Sequence, residues 1–244
     1  MVAALSRTSQ NLTVAVVGAA LLWISLFSQA FLNYVRPGFR PFLIAAGGCL
    51  VVLAVVGAIR HWRDPAAHGD GHAQACGHGG HGPRAAWLIF LPVLTIFFIA
   101  PPALGSYTAT RDGEREVLGR VDESKYQKRS PYPMPMDVWE FYTLARDGRH
   151  DMLSGQPVEL TGIVVPREEG GWYLGRFKIF CCAADAAALR VRIHGKPSPP
   201  ADTWVTVAGT WVPPANGKRV SQGVDPELSV TRLERVPKPL EPYE

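Results

Sequence analysis

The sequence predicts an α + β protein in which three transmembrane helices precede a soluble small β-barrel domain, OB-like with five strands, that carries one short helix. Three observations predict it. The first 105 residues contain three runs free of Asp, Glu, Lys and Arg; the apolar period changes to two after Gly155; and Asp137-x-x-Glu140 marks a helix start between these regions.

The apolar runs are residues 12–32, 41–59 and 85–104. Each is long enough, at about 1.5 Å per residue, to cross about 30 Å of hydrocarbon. A cleaved secretory signal is the alternative for the first run, but such a signal has an apolar core of only about 7 to 15 residues and a small-x-small cleavage site. This run is longer and ends in Phe31-Leu32-Asn33-Tyr34, which reads as a retained span. Soluble core helices keep a polar stripe that these runs lack. The reading therefore divides the chain into a membrane domain (1–105), a linker (106–136), a β domain (137–236) and a tail (237–244).

Between the second and third runs lies the loop 60–84, RHWRDPAAHGDGHAQACGHGGHGPR, which has no apolar period. Pro92 predicts a kink in the third span, and Pro101-Pro102 its end. The linker is charged in its first half and Pro-rich at SPYPMPM, a composition that suits an extended spacer.

The Asp137-x-x-Glu140 spacing is that of a capping box, in which each side chain satisfies a free amide at the start of a helix. Val138, Phe141, Tyr142 and Ala145 then share one face, and Gly148 ends the helix. Strands follow around Val158–Val164, Tyr173–Ile179, Leu189–Ile193, Val205–Gly209 and Leu228–Val230, separated by loops at REEGG, GKPSPPAD and PPANGKRVSQGVD. Five short strands in this space suit an OB-type barrel, which leaves no long edge. An open meander or a fragment of a sandwich is the alternative.

Charge excludes one class of function. Residues 1–105 hold six Arg and two acidic residues, while residues 106–244 hold 19 basic and 19 acidic side chains. A neutral domain lacks the basic excess from which nucleic-acid binding draws its affinity, so no nucleic-acid partner is expected. The aromatic residues Trp172, Tyr173, Phe177 and Phe180 are accordingly read as barrel core rather than as a base-stacking surface. The Lys/Arg balance of the connections leaves the side of the soluble domain open: Arg7, Arg60, Arg63 and Arg84 face Arg36, Arg40, Arg111, Arg115 and Arg120.

Two features could carry chemistry. His61, His68, His72, His78 and His81 fall in the first loop with Asp70 and Cys76. Imidazole and thiolate are ligands for Zn²⁺, Ni²⁺ and copper, and a flexible loop lets His68, His72, Cys76, His78 and His81 converge on one ion without preforming a site. A polar loop whose His residues bind nothing is the plain alternative. The second feature is the run RFKIFCCAADA. Alternation along a strand would bury Cys181 with Phe177 and Ile179 and turn Cys182 outward beside Asp185. Cys182, Asp185 and His194 could then hold a metal, or Cys181 and Cys182 could form a strained reversible disulfide. Cys49, beside Gly47 and Gly48, reads as a small packing residue where a second helix approaches.

No G-x-S-x-G, phosphate loop or H-E-x-x-H occurs, and the spans carry no charge that would line an ion path. The chain is read as no enzyme, and any pore is expected from a partner. Zinc or another transition metal is the only cofactor suggested.

The order of two spans, a His-rich loop, a third span closing in FIAPPALGSYTA, and a soluble domain with GQPVELTGIVV and RFKIFCCAADA resembles an uncharacterised bacterial membrane family whose members are described as permease subunits. Its C-terminal region is a domain of unknown function. The resemblance covers nearly the whole chain and implies a larger polytopic membrane permease as partner; it implies no catalytic residues. The expectation is an accessory subunit of a permease in the bacterial cytoplasmic membrane, multi-pass, acting on a transition-metal cation or other small solute. A membrane-anchored metal or haem carrier or assembly factor, and a purely structural scaffold, are the other classes.

Overall fold

A computed structural model describes residues 2–63, 102–111, 119–122, 133–146, 150–214 and 224–244. They form two compact units. One comprises Met1–Phe31 and Pro37–Pro101, the other Leu32–Arg36 and Pro102–Glu244.

In the first unit, α1 (Val2–Phe27) and α2 (Arg40–Arg63) pack against each other. Glycine sets their distance. A Cβ on Gly18 would lie 2.9 Å from the Gly47 carbonyl oxygen, and one on Gly57 would lie 2.7 Å from Asn11 Oδ1. Gly48 meets nothing within 4 Å and Cys49 is exposed, so only Gly47 of that expected trio lies at the helix contact. Arg40 donates from Nε to the Ser25 carbonyl at 2.8 Å, which satisfies an orphan acceptor at the end of α1 and places positive charge at its negative pole. The helix therefore stops at Phe27, short of the expected residue 32, and a 3₁₀ turn spans Ala30–Asn33.

Pro37–Arg63 is long and apolar enough to cross a membrane, whereas the apolar part of α1, Asn11–Phe27, is 17 residues. The expected third span, apart from its end at 102–104, lies outside the described residues, as does the loop from residue 64 to residue 84. The helices expose large apolar side chains, among them Trp23, Phe27, Phe42, Val52, Leu53 and Trp62.

The second unit is a mixed α/β fold with a six-stranded sheet. Its elements are α3 (Ser106–Arg111), β1 (Met134–Pro135), α4 (Val138–Arg146), β2 (Pro157–Pro166), β3 (Trp172–Lys178), β4 (Ala187–His194), β5 (Trp204–Val212) and β6 (Glu227–Arg235). The five expected strands are β2 to β6; the sixth, β1, is a two-residue parallel addition to β2 contributed by the expected linker. Pairings run β2–β3–β4–β6–β5 and return through β5–β2. The contact of β4 with β6 is parallel, while the other pairings among these five strands are antiparallel.

Alternation decides the faces. Val158, Leu160, Leu174, Leu189, Val191 and Val207 are essentially inaccessible and form one core with Trp172 and the apolar face of α4. Ile163, Val165, Phe177 and Ile179 form a second cluster with Ala109 and Tyr243. Gly162 is required where strands approach, because a Cβ there would lie 2.5 Å from the Gly175 carbonyl oxygen. In the β2–β3 hairpin Gly170 and Gly171 take φ of 90° and 79°, a region that side chains disfavour.

One expectation changes here. Val138 N–H and Trp139 N–H, two of the first free amides of α4, donate to Glu244 at 3.0 and 2.7 Å. Residues 237–244, set apart as a tail, are built into the unit, since Glu244 N–H donates to the Phe177 carbonyl and Ile179 N–H to the Glu244 carbonyl. A polar side chain far along the chain supplies what local spacing alone cannot reveal.

Candidate functional site: the Cys181–Cys182 turn

Strand β3 ends at Lys178, three residues short of Cys181, the residue that alternation is expected to bury. Ile179 is buried, but the chain then turns: Phe180 and Cys181 are exposed and Cys182 is half-buried. Cys181 is thus not a core residue, and the reason is the short 3₁₀ turn Ala183–Asp185, which breaks the strand period.

Asp185 builds this turn. Its Oδ1 accepts the Phe180 N–H at 2.9 Å, and its Oδ2 accepts the N–H groups of Cys181 at 2.8 Å and Cys182 at 3.4 Å. Asp185 N–H in turn donates to the Cys182 carbonyl at 3.0 Å. The spacing Cys182-x-x-Asp185 is that of an N-cap and its third helical residue, a signal present in the sequence and missed beside the strand pattern.

A second segment holds the turn from the other side. Val35 forms an antiparallel bridge with Cys182. Arg36 N–H donates to the Cys181 carbonyl at 3.3 Å, and Ala183 N–H donates to the Tyr34 carbonyl at 2.7 Å. Asn33 extends the anchorage, its carbonyl accepting from Tyr243 Oη at 2.8 Å and its Oδ1 from Lys238 Nζ at 2.9 Å. Nothing in the composition of residues 32–36 announces this role; it arises from pairing across about 150 positions, and only tertiary structure shows it.

The two thiols end up side by side, Sγ to Sγ 3.6 Å. With an Asp185 oxygen they place three potential ligand atoms within 4.8 Å of one another, and among the described residues no other group of three His, Cys, Asp or Glu does so. Hydrogen bonds to Asp185 and Cys182, together with the carboxylate charge, push the Cys181 thiol up to about 12. Burial pulls the Asp185 carboxyl upward, but the Cys181 thiol and the three backbone N–H donors outweigh it and hold the group below the usual carboxylate range. A Cys181 thiol that holds its proton beside an ionised Asp185 is a poor nucleophile for thiol exchange, which runs on thiolate.

His194 is not part of this group. Its Nε2 lies 2.8 Å from Glu227 Oε2, and Arg192 contacts the same carboxylate at 3.3 Å. Strand β4 carries it to the far end of the domain, where β6 runs parallel beside it. The loop residues His68, His72, Cys76, His78 and His81 lie outside the described residues. Trp172 and Phe177 are buried, as a core reading requires, while Phe180 is 55% exposed next to the thiols. Two guanidinium groups lie over the Tyr173 ring, Arg167 at 5.3 Å and Arg190 at 5.6 Å from its centre.

A second polar feature lies between β2, β3 and α4. A cavity of about 320 Å³ is lined by Asp137, Glu140, Glu159, Arg176 and Glu244 among others. Arg176 and Glu244 form a buried ion pair at 3.5 Å, and Glu159 pairs with Arg232 at 2.5 Å. Burial pushes the Glu244 carboxyl up to about 7, against the lowering effect of Arg176 and of the α4 amides. The arrangement is structural: it caps a helix and neutralises an internal cation.

Residues 147–244 match the family model of the DUF1980 C-terminal domain, so the thiol turn falls inside a domain shared with an uncharacterised family. No curated protein matches the chain. A solved structure described as "putative aspartyl-tRNA synthetase from Leishmania major Friedlin" is 13% identical with a TM-score of 0.25, a value too low to indicate a common fold. The match covers 51% of this chain and 24% of that one, so the chain spans about a quarter of the length of that structure.

Proposed function

We propose that this chain is a membrane-anchored accessory subunit of a cytoplasmic-membrane permease, and that its C-terminal domain captures a transition-metal cation at Cys181, Cys182 and Asp185. The observation that carries the reading is the pair of accessible thiols held 3.6 Å apart by a carboxylate that fixes the backbone of both residues. Exposed free cysteines are a liability on an ordinary surface. An exposed and a half-buried thiol beside an ionised Asp have the donor set of a soft or borderline cation site.

The ring of strands β2–β3–β4–β6–β5, with its single parallel contact, supports assignment of the domain to the OB type. In that setting the thiol turn is the β3–β4 connection. Anchoring rests on the apolar stretch Pro37–Arg63 and on the exposed apolar side chains of α1 and α2.

Chain connectivity supports three crossings. Leu32–Arg36 stands between α1 and α2 in sequence and belongs to the C-terminal unit. If α1 and α2 each cross the bilayer, their connection and the C-terminal domain share one side, and an odd number of crossings must lie between α2 and residue 102. The apolar run 85–104 supplies one. A pore is left to the polytopic partner, since the apolar runs contain no charged residue.

The test is purification of the tagged full-length protein from mild detergent in its native cells, followed by identification of co-purifying proteins and by metal uptake with and without the chain. A polytopic permease in near-stoichiometric amount, with cation transport lost on deletion and on C181S/C182S, is the expected result. Recovery of the chain alone after cross-linking, with transport unchanged, overturns the permease role.

A further inference from the structure

The spacing of the two thiols says which cation geometry the turn is built for. In a tetrahedral site with metal–sulfur bonds of about 2.3 Å, two sulfurs bound to one ion stand about 3.8 Å apart; in a linear two-coordinate site with the same bonds they stand about 4.6 Å apart. Cys181 Sγ and Cys182 Sγ are separated by 3.6 Å. We infer that the turn is a three-ligand, tetrahedral site for a divalent cation of the zinc class, with Cys181 Sγ, Cys182 Sγ and an Asp185 carboxylate oxygen as ligands and the fourth position open. This inference rests on the cation-capture reading and specifies its cargo and coordination.

The backbone that carries the two thiols is fixed by the fold. Both cysteine N–H groups are held by Asp185 Oδ2, the Cys181 carbonyl is held by Arg36, and Cys182 is bridged to Val35. Only the side-chain torsions remain free. A tetrahedral ion needs those torsions to move the sulfurs apart by only about 0.2 Å, whereas a linear site needs about 1 Å and leaves the Asp185 carboxylate without a place as ligand. Asp185 Oδ1 accepts a backbone bond from Phe180 and keeps a lone pair for the ion.

Binding balances simply. Both thiols release their protons to solvent, the hydrogen bond from the Cys181 thiol to Asp185 is replaced by the ion, and two thiolates and one carboxylate leave the site with a net charge of −1. An open fourth position separates this arrangement from a closed structural site, which has four protein ligands. A donor group from a partner can enter at that position before the ion leaves, so the cation can be handed on without passing free through water. Phe180, 55% exposed beside the thiols, gives such a partner an apolar contact next to the ion.

The experiment uses the full chain in detergent, carrying C76S so that Cys181 and Cys182 are the thiols outside the apolar helices. Cobaltous ion is titrated as the optical stand-in for zinc, then displaced by zinc. The expected result is the intense visible absorption of four-coordinate cobalt with a thiolate charge-transfer band, both abolished by C181S/C182S and both bleached by one equivalent of zinc. D185N should weaken zinc binding about 10- to 100-fold while leaving the thiol count by Ellman titration unchanged. A weak six-coordinate spectrum that C181S/C182S does not alter overturns the inference. Cuprous ion is added in a parallel competition with a chromophoric chelator. Thiol-dependent binding of cuprous ion with none of cobalt or zinc overturns the tetrahedral site and leaves cation capture standing. Thiol-dependent binding of none of the three overturns both.

Discussion

Glu244 accepts the backbone N–H of Trp139 at 2.7 Å across 105 positions of sequence, and in doing so caps the helix that covers one core of the C-terminal unit. The same carboxylate faces Arg176 at 3.5 Å and is buried. One side chain thus closes a helix, neutralises an internal guanidinium and ties residues 237–244 to the sheet.

Replacing Glu244 by Ala removes all three functions at once and leaves Arg176 an uncompensated buried charge. The expected loss is about 3 kcal/mol or more, the scale for breaking a buried ion pair from one side. Urea unfolding of the full chain in micelles, followed by tryptophan fluorescence, measures it.

The same residue predicts a pH dependence. Its folded pKa of about 7 lies above the reference 4.5 because burial disfavours the charged form. The folded state therefore holds the proton more tightly than the unfolded state. The stability linked to this protonation is fully present below about pH 4.5, declines as pH rises, and is lost above about pH 7, over a range of about 3 kcal/mol. E244Q should flatten stability against pH across that window. An unchanged slope in the variant would assign the dependence to another group.

Gly162 sits where a Cβ would lie 2.5 Å from the Gly175 carbonyl oxygen. G162A must push two paired backbones apart, and a destabilisation of about 1 to 3 kcal/mol is expected, as for overpacking elsewhere. G170A tests the β2–β3 hairpin by another route, since space is open around that residue but its φ is 90°. Its cost is conformational and should be nearer about 1 kcal/mol.

Topology offers a direct check on the role of Leu32–Arg36. Of single cysteines placed at residue 2 and at residue 240, in a chain whose native cysteines are Ser, a membrane-impermeant maleimide should label one in intact cells and the other only after permeabilisation. Labelling of both from one side would remove the odd-crossing argument and with it the third span.

The sequence alone determined the strand segments and much of the helical outline, because both rest on local periodicity. Val158, Leu160, Leu174, Leu189 and Val191 alternate with polar neighbours and are buried; Val138, Phe141 and Ala145 recur at helical spacing and cover the same core. It also marked Cys181, Cys182 and Asp185 as the group to watch, by composition alone. Tertiary structure decided what periodicity cannot carry. It turned Cys181 outward, because Asp185 gathers three backbone amides and ends the strand pattern at Lys178. It separated His194 from the thiols by pairing it with Glu227. It brought Tyr34, Val35 and Arg36 against the same turn, and Glu244 onto α4. These are hydrogen bonds between polar groups far apart in the chain, and their partners are chosen by which donors and acceptors the packed core leaves unsatisfied at its edges.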